Sequence, residues 1–188
     1  MDFTEKHITT VSKYEGKILT AQVDTVSLPG GGSAYREFVI HPGGVTVLPL
    51  DDEGYVYCVR QYRYPMGAEL LETPAGKLEP GEEPITCAIR ELSEETGIDA
   101  DELVDLGCFY PSPGFCRETL YIFLARGLNL GKAHLDENEF LDVERVKLET
   151  LCDMAMRDEL RDAKTVIAVF KTKLFLEGER LGKNGTDS

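Results

Sequence analysis

The chain has no tryptophan, three histidines and five cysteines among its 188 residues. Cys58, Cys87, Cys108, Cys116 and Cys152 are odd in number and scattered, form no CxxC pair and have no histidine at ligand spacing. That excludes a disulfide framework and a zinc site and leaves reduced, mostly small core residues. Cations are scarce as well: 20 Lys and Arg face 34 Asp and Glu, a net charge of −14. Nonspecific nucleic-acid binding draws its affinity from cations meeting phosphates, so nucleic acid is not an expected partner. An anionic ligand would need local arginines, backbone N–H groups or a bound metal. No apolar run approaches the roughly 18 residues of a membrane span. The N-terminal MDFTEKHITT lacks the apolar segment of a secretion signal. The expectation is a cytoplasmic chain with no membrane partner.

What is present is an ordinary globular composition, 42 % hydrophobic and 29 % charged, in a length that suits one domain plus at most a small appended unit. Residues 8–40 alternate polar and apolar side chains and predict three antiparallel strands, with turns at Glu15-Gly16 and from Pro29 to Gly32. His41 to Gly44 reads as a boundary. VTVLPL and GYVYCVRQYRY, on either side of Asp51 to Gly54, read as a hairpin, and ELLETPAG as a short strand entering a Pro/Gly loop. The spacing predicts a helix over 84–96, with Pro84 in its first turn and Gly97 just past its end. LGCFY and ETLYIFLARGL read as strands around the PSPGF loop, and EFLDVERVKL as another. Residues 148–178 read as helix in two pieces, with Asp162 capping the second. Strands and helices without regular alternation predict an α+β fold with a mixed sheet between helices. The expected division is an N-terminal antiparallel sheet over 1–43, a main domain over 44–182 and a disordered tail over 183–188.

The helix over 84–96 is dense in glutamate. At about 100° per residue, Ile85, Ala88, Ile89, Leu92 and Thr96 share a face suited to burial against a sheet. Glu91 and Glu95 then lie one turn apart on another face, with Glu94 on its flank. A solvated acidic face is the plain alternative. Against it, no Lys or Arg follows any of these glutamates by four residues, and two of them occupy the last turn, where the helix dipole disfavours anions. A divalent cation would relieve that repulsion, because Mg²⁺ takes carboxylate and carbonyl oxygens and keeps water for substrate phosphates. The chemistry suggested is metal-assisted attack of water on a phosphate.

The spacing itself is distinctive: Gly76, five residues, Glu82, seven residues, Arg90-Glu91-Leu92, one residue, Glu94-Glu95, one residue, then Gly97 and Ile98. In all these positions it resembles the signature of the Nudix hydrolases. The resemblance implies an α/β/α sandwich with a mixed sheet, holding Mg²⁺ or Mn²⁺ on this loop, helix and loop, and hydrolysis of a nucleoside diphosphate linked to a further group. It implies Glu91 and Glu95 as metal ligands together with the Ala75 carbonyl, Glu94 as ligand or support, and Arg90 with Glu82 as an orienting ion pair.

Outside that signature, FYPSPGF places Pro113 fifteen residues past Ile98, which resembles the mark of the ADP-ribose pyrophosphatase subgroup. YREF, VRQYRYP, ELLETPAG and DENEF extend the likeness over most of residues 8–178. The resemblance implies cleavage of ADP-ribose to AMP and ribose 5-phosphate by a homodimer. Arg36 and Glu37 would contact the adenine side from the partner subunit, Arg63 the diphosphate, and Ser112 and Glu118 the terminal ribose. Glu137 aligns with the base that takes a proton from water and Glu139 with a further metal ligand, and the two assignments are exchangeable. Each residue has a plainer reading as well: a cross-strand surface pair for Arg36 and Glu37, a strand end for Arg63, a charged turn for DENEF. One position departs from the subgroup. After Tyr14-Glu15-Gly16 stand Lys17 and Ile18 rather than an aromatic, so either Tyr14 stacks on the base or base recognition is looser. The alternatives kept open are other nucleoside diphosphate compounds, such as GDP-mannose, UDP-glucose or NADH, and a non-catalytic sensor of ADP-ribose.

Overall fold

Three strands follow the alternation of the first forty residues: β1 (Lys6–Glu15), β2 (Thr20–Ser27) and β3 (Ser33–Ile40). In this computed structural model, which describes residues 2–135 and 140–184, they pair antiparallel in sequence order, and a two-residue strand, β9 (Cys116–Arg117), joins β3 in parallel. Residues up to Gly43 thus form one unit with Tyr110–Thr119, while Gly44–Phe109 and the residues from Leu120 onward form a second. The return of 110–119 to the first unit had no sequence signal, since it depends on a pairing between residues far apart in the chain.

The second unit is a three-layer arrangement. One sheet has the order β7 (Ala75–Lys77), β4 (Gly44–Pro49), β10 (Leu120–Leu130), β8 (Ile98–Phe109), with β4 and β10 parallel and the outer pairs antiparallel. A second, antiparallel sheet has the order β11 (Leu141–Lys147), β5 (Tyr55–Arg63), β6 (Ala68–Glu72). Alternation along β4 and β10 divides the core. Val45, Val47, Phe123 and Ala125 pack with Cys87, Ala88 and Leu92 of α1 (Pro84–Thr96). Leu48, Ile122 and Leu124 pack on the other side with Leu151 of α2 (Leu148–Met156) and Val169 of α3 (Ala163–Asn184). This is the α+β sandwich expected, with helices on both faces of a mixed sheet.

Two sequence readings are corrected. β4 and β5 are not a hairpin. The turn between them is present, with the Gly54 N–H donating to the Asp51 carbonyl at 3.0 Å, but they meet only at a Leu50–Val56 bridge and enter different sheets. All six residues of β4 are buried and its two edges are taken by β7 and β10, so no edge is left for β5. The face of α1 is also rotated from the one expected. Ala88, Leu92 and Thr96 are buried as expected, but Ile85 and Ile89 are 47 % and 53 % exposed, and Cys87, Glu91 and Glu95 are buried in their place. α3 runs past Gly178 to Asn184, and 185–188 lie outside the described residues.

Candidate active site

The acidic helix begins and ends where local chemistry dictates. Pro84 sits in the first turn, where no N–H is needed, and Gly97 takes φ 69° just past the end, its N–H donating to the Ser93 carbonyl at 2.8 Å. An added methyl at Gly97 would also overlap the backbone at Lys132 and Ala133. Small residues, Cys87 and Ala88, let α1 approach the sheet closely, and the carboxylates on the same face are carried in with them. Glu91 and Glu95 are only 9 % and 4 % exposed.

That burial has specific partners. The Ala75 N–H at the start of β7 donates to Glu95 Oε2 at 3.0 Å. Gly76 leaves the space that the Glu91 carboxylate occupies, and a β-carbon there would overlap it. The need at Gly76 is therefore close approach rather than backbone conformation. Arg90 spends its guanidinium on the surrounding acceptors: Nε to Glu82 Oε1 at 3.0 Å, Nη2 to Glu82 Oε2 at 3.1 Å and to the Lys77 carbonyl at 3.2 Å, and Nη1 to Glu91 at 2.7 Å and Glu94 at 3.0 Å. A planar fork with many donors can hold three carboxylates in fixed directions. The hydrogen bond from Arg90, joined by the Glu79 N–H, holds the Glu82 carboxyl at about 2, below its ordinary 4.5. Arg90 is thus the offset to the repulsion noted in the sequence, supplied from inside the cluster rather than from a residue four positions later.

The chemistry of this donor set fits a hard divalent cation. Buried carboxylates one turn apart beside a strand backbone present oxygen ligands only. Among the described residues no three His, Cys, Asp or Glu side chains gather as a metal site by themselves, so a complete set also needs oxygens from the backbone, from water or from substrate. Ala75 supplies a candidate carbonyl. Glu137 and Glu139, the sequence candidates for base and further ligand, lie outside the described residues.

Arg63 stands at the end of β5 and grips Glu72 with two parallel hydrogen bonds of 2.7 Å. Glu72 is fully buried. Burial pushes its carboxyl up, but the Arg63 fork and Lys164 outweigh that and hold it below the ordinary carboxylate range. Sequence reasoning missed Glu72 and Lys164. Both look like ordinary polar residues of a strand end and a helix start, and only the fold buries them together.

Within the first unit, Arg36 is held by Glu5 in an exposed ion pair. Glu37 lines a cavity of about 450 Å³ together with Lys13, Gln22, Phe38, Val39 and Phe115. Glu118 lies 3.0 Å from His41 Nδ1, and the Ser112 carbonyl accepts the Cys116 N–H at 2.8 Å in the turn before β9. Tyr14 is exposed on β1.

A family model described as NUDIX domain matches residues 40–169. The chain belongs to the Nudix family. It is 44 % identical over 167 residues to an ADP-ribose pyrophosphatase of Bacillus subtilis (strain 168), covering 88 % of this chain and 90 % of that one. It is 41 % identical over 169 residues to a methanol dehydrogenase activator of Bacillus methanolicus, covering 89 % and 91 %. A crystal structure of an ADP compounds hydrolase superposes with a TM-score of 0.84 over 95 % of this chain and 98 % of that one at 22 % identity, a likeness of fold. Family membership accounts for Gly76, Glu82, Arg90, Glu91, Glu94, Glu95 and Gly97 as one unit: a glycine that admits a carboxylate, an arginine that aligns three, and a glycine that ends the helix.

Proposed function

We propose that the protein hydrolyses the diphosphate bridge of ADP-ribose, giving AMP and ribose 5-phosphate, in a reaction that depends on a divalent metal. The observation that carries this is the pair of buried carboxylates, Glu91 and Glu95, seated against β7 and aligned by Arg90. The likeness to an ADP-ribose pyrophosphatase over most of both chains supports the substrate.

Glu91, Glu95 and the Ala75 carbonyl, with Glu139, would hold Mg²⁺ or Mn²⁺. Such a cation supplies neutralisation of the bridging and leaving oxygens and a lowered pKa for bound water. The chain's own residues do the rest. Glu137 accepts the proton of the attacking water. Arg90 holds Glu91 and Glu94 in register, and Glu82 in turn holds Arg90. Arg63 contacts the diphosphate, its orientation set by Glu72. Arg36 and Glu37, reaching over from the partner subunit, contact the adenine side, and Ser112 and Glu118 lie along the terminal ribose.

The protein acts as a homodimer in the cytoplasm. Supporting the dimer, every residue of β1 is exposed, Ile8, Val11 and Tyr14 among them, a large apolar content for a solvated edge strand. Light scattering at micromolar concentration tests it, and a monomeric mass refutes it. No helix among the described residues is long and apolar enough to cross a membrane.

The deciding experiment is a panel of ADP-ribose, GDP-mannose, UDP-glucose and NADH with Mg²⁺ or Mn²⁺ in ¹⁸O water, with products read by mass spectrometry. Preference for ADP-ribose is expected, and comparable rates on GDP-mannose or UDP-glucose refute the assignment. The likeness to a methanol dehydrogenase activator favours a second reading, that the chain also activates a methanol dehydrogenase. Adding the protein to such an enzyme and following alcohol oxidation tests that separately.

A further inference from the structure

Lys164 stands in the first turn of α3 with its side chain only 11 % exposed. It donates to Glu72, the same buried carboxylate that holds the Arg63 fork. Its other partner, at 2.9 Å, is Asp162. Asp162 caps α3, accepting the Thr165 N–H at 3.0 Å and the Thr165 hydroxyl at 2.5 Å. Thr165 Oγ1 in turn accepts the N–H of Thr73, the residue after Glu72, at 2.8 Å. The helix start and the end of β6 are therefore tied twice, once by charge and once by hydrogen bonds.

Charges alternate along this row, Arg63, Glu72, Lys164, Asp162, and Arg63 is its most exposed member, at 40 % of its side chain. The terminal anion lies at a helix N-terminus, where the dipole offsets part of its charge. Burying ion pairs is a poor route to stability by itself, because desolvation offsets most of the attraction. What such a row does is fix one guanidinium. The fork uses Nε and Nη2 of Arg63 and leaves Nη1 outside it. A carboxylate held by Arg63 alone would neutralise it; a carboxylate shared with a second cation neutralises it only in part.

We propose that Lys164 is a positioning residue for substrate binding: by sharing Glu72 it keeps Arg63 aimed and electropositive for the diphosphate of a nucleoside diphosphate substrate. This rests on the reading of Arg63 as the diphosphate contact.

The test is steady-state hydrolysis of ADP-ribose, under saturating metal, by Arg63→Met, Lys164→Met, Lys164→Arg and the Arg63→Met/Lys164→Met double variant, with the Tm of each. Arg63→Met should raise KM about tenfold or more, the effect of losing a charge-assisted contact made before the transition state. Lys164→Met should raise KM by a similar factor with kcat changed less than about threefold, and Lys164→Arg should restore most of it. In the Arg63→Met background, Lys164→Met should change KM by less than about twofold, because the group it acts through is gone. A purely structural lysine would lower Tm in both backgrounds and leave KM alone, and that result overturns the proposal. So does a full, independent effect of Lys164→Met on the Arg63→Met background. If Arg63→Met itself leaves KM unchanged, the diphosphate reading of Arg63 fails, and this inference fails with it. Should Lys164→Met not fold, Lys164→Gln, which keeps a donor without the charge, takes its place with the same expected rise in KM.

Discussion

Gly76→Ala should lower activity far more than stability, although it removes no carboxylate. The added methyl would overlap the Glu91 carboxyl, the far end of a flexible side chain, so the overlap is relieved by swinging that side chain away. The stability lost is then one charge-assisted hydrogen bond, Arg90 to Glu91 at 2.7 Å, plus slight repacking. That amounts to about 1.5–3 kcal/mol, a fall in Tm of about 3–12 °C for a chain of this length. The activity lost should be larger if Glu91 holds the metal as proposed, because displacing a reacting group by about 1 Å costs on the order of 10²-fold in rate. Half-saturation by Mg²⁺ should move upward at the same time. Gly44→Ala is the contrast: its methyl would meet the Gly76 carbonyl, which is backbone and cannot swing aside, so the greater loss there falls on stability. Thermal unfolding and metal titrations of ADP-ribose hydrolysis report both quantities. Placing Gly76→Ala in a Glu91→Ala background should remove its stability cost, since the group it overlaps is gone. A Gly76→Ala enzyme that keeps kcat within about threefold of wild type and its half-saturating metal concentration would refute the close-approach reasoning.

Other outcomes are expected from the same geometry. Glu95→Gln keeps an acceptor for the Ala75 N–H and should leave the fold intact while abolishing turnover; near-normal kcat would rule out its metal role. Glu137→Gln should lower kcat by about 10²-fold or more with little change in KM, and an equal loss confined to Glu139→Gln would transfer the role of base. Glu82 titrates at about 2 when folded against 4.5 unpaired, so the stability from its pair with Arg90 is present above pH 4.5 and lost as pH falls toward about 2. Denaturant midpoints of wild type and Glu82→Gln should therefore differ at neutral pH and converge across that window; a gap that persists in acid would contradict the depressed pKa. On the two faces of α1, Leu92→Ala should cost about 2–5 kcal/mol and Ile89→Ser less than about 0.5 kcal/mol. Equal losses in urea denaturation would restore the face read from the sequence.

What was legible in the sequence was local or fixed in spacing. The limits of α1 follow from Pro84 and Gly97, the hairpins of the first unit from Gly16 and the Pro29–Gly32 turn, and the candidate metal cluster from its spacing, because each depends on residues within a few positions of one another. The rotation of α1 does not. Two isoleucines outscore Cys87 and a pair of glutamates on any hydrophobic pattern, yet small residues gave the close approach to β4 and β10, and the glutamates came inward with them.

The tertiary structure alone decided the rest. β4 and β5 diverge because β4 already has two neighbours, and β9 returns to β3 across more than seventy residues. Arg63, Glu72, Lys164 and Asp162 come from a strand end, the next strand and a helix start a hundred residues on. A charge can be buried only where another meets it, and which charges meet is fixed by how the layers stack rather than by any spacing along the chain.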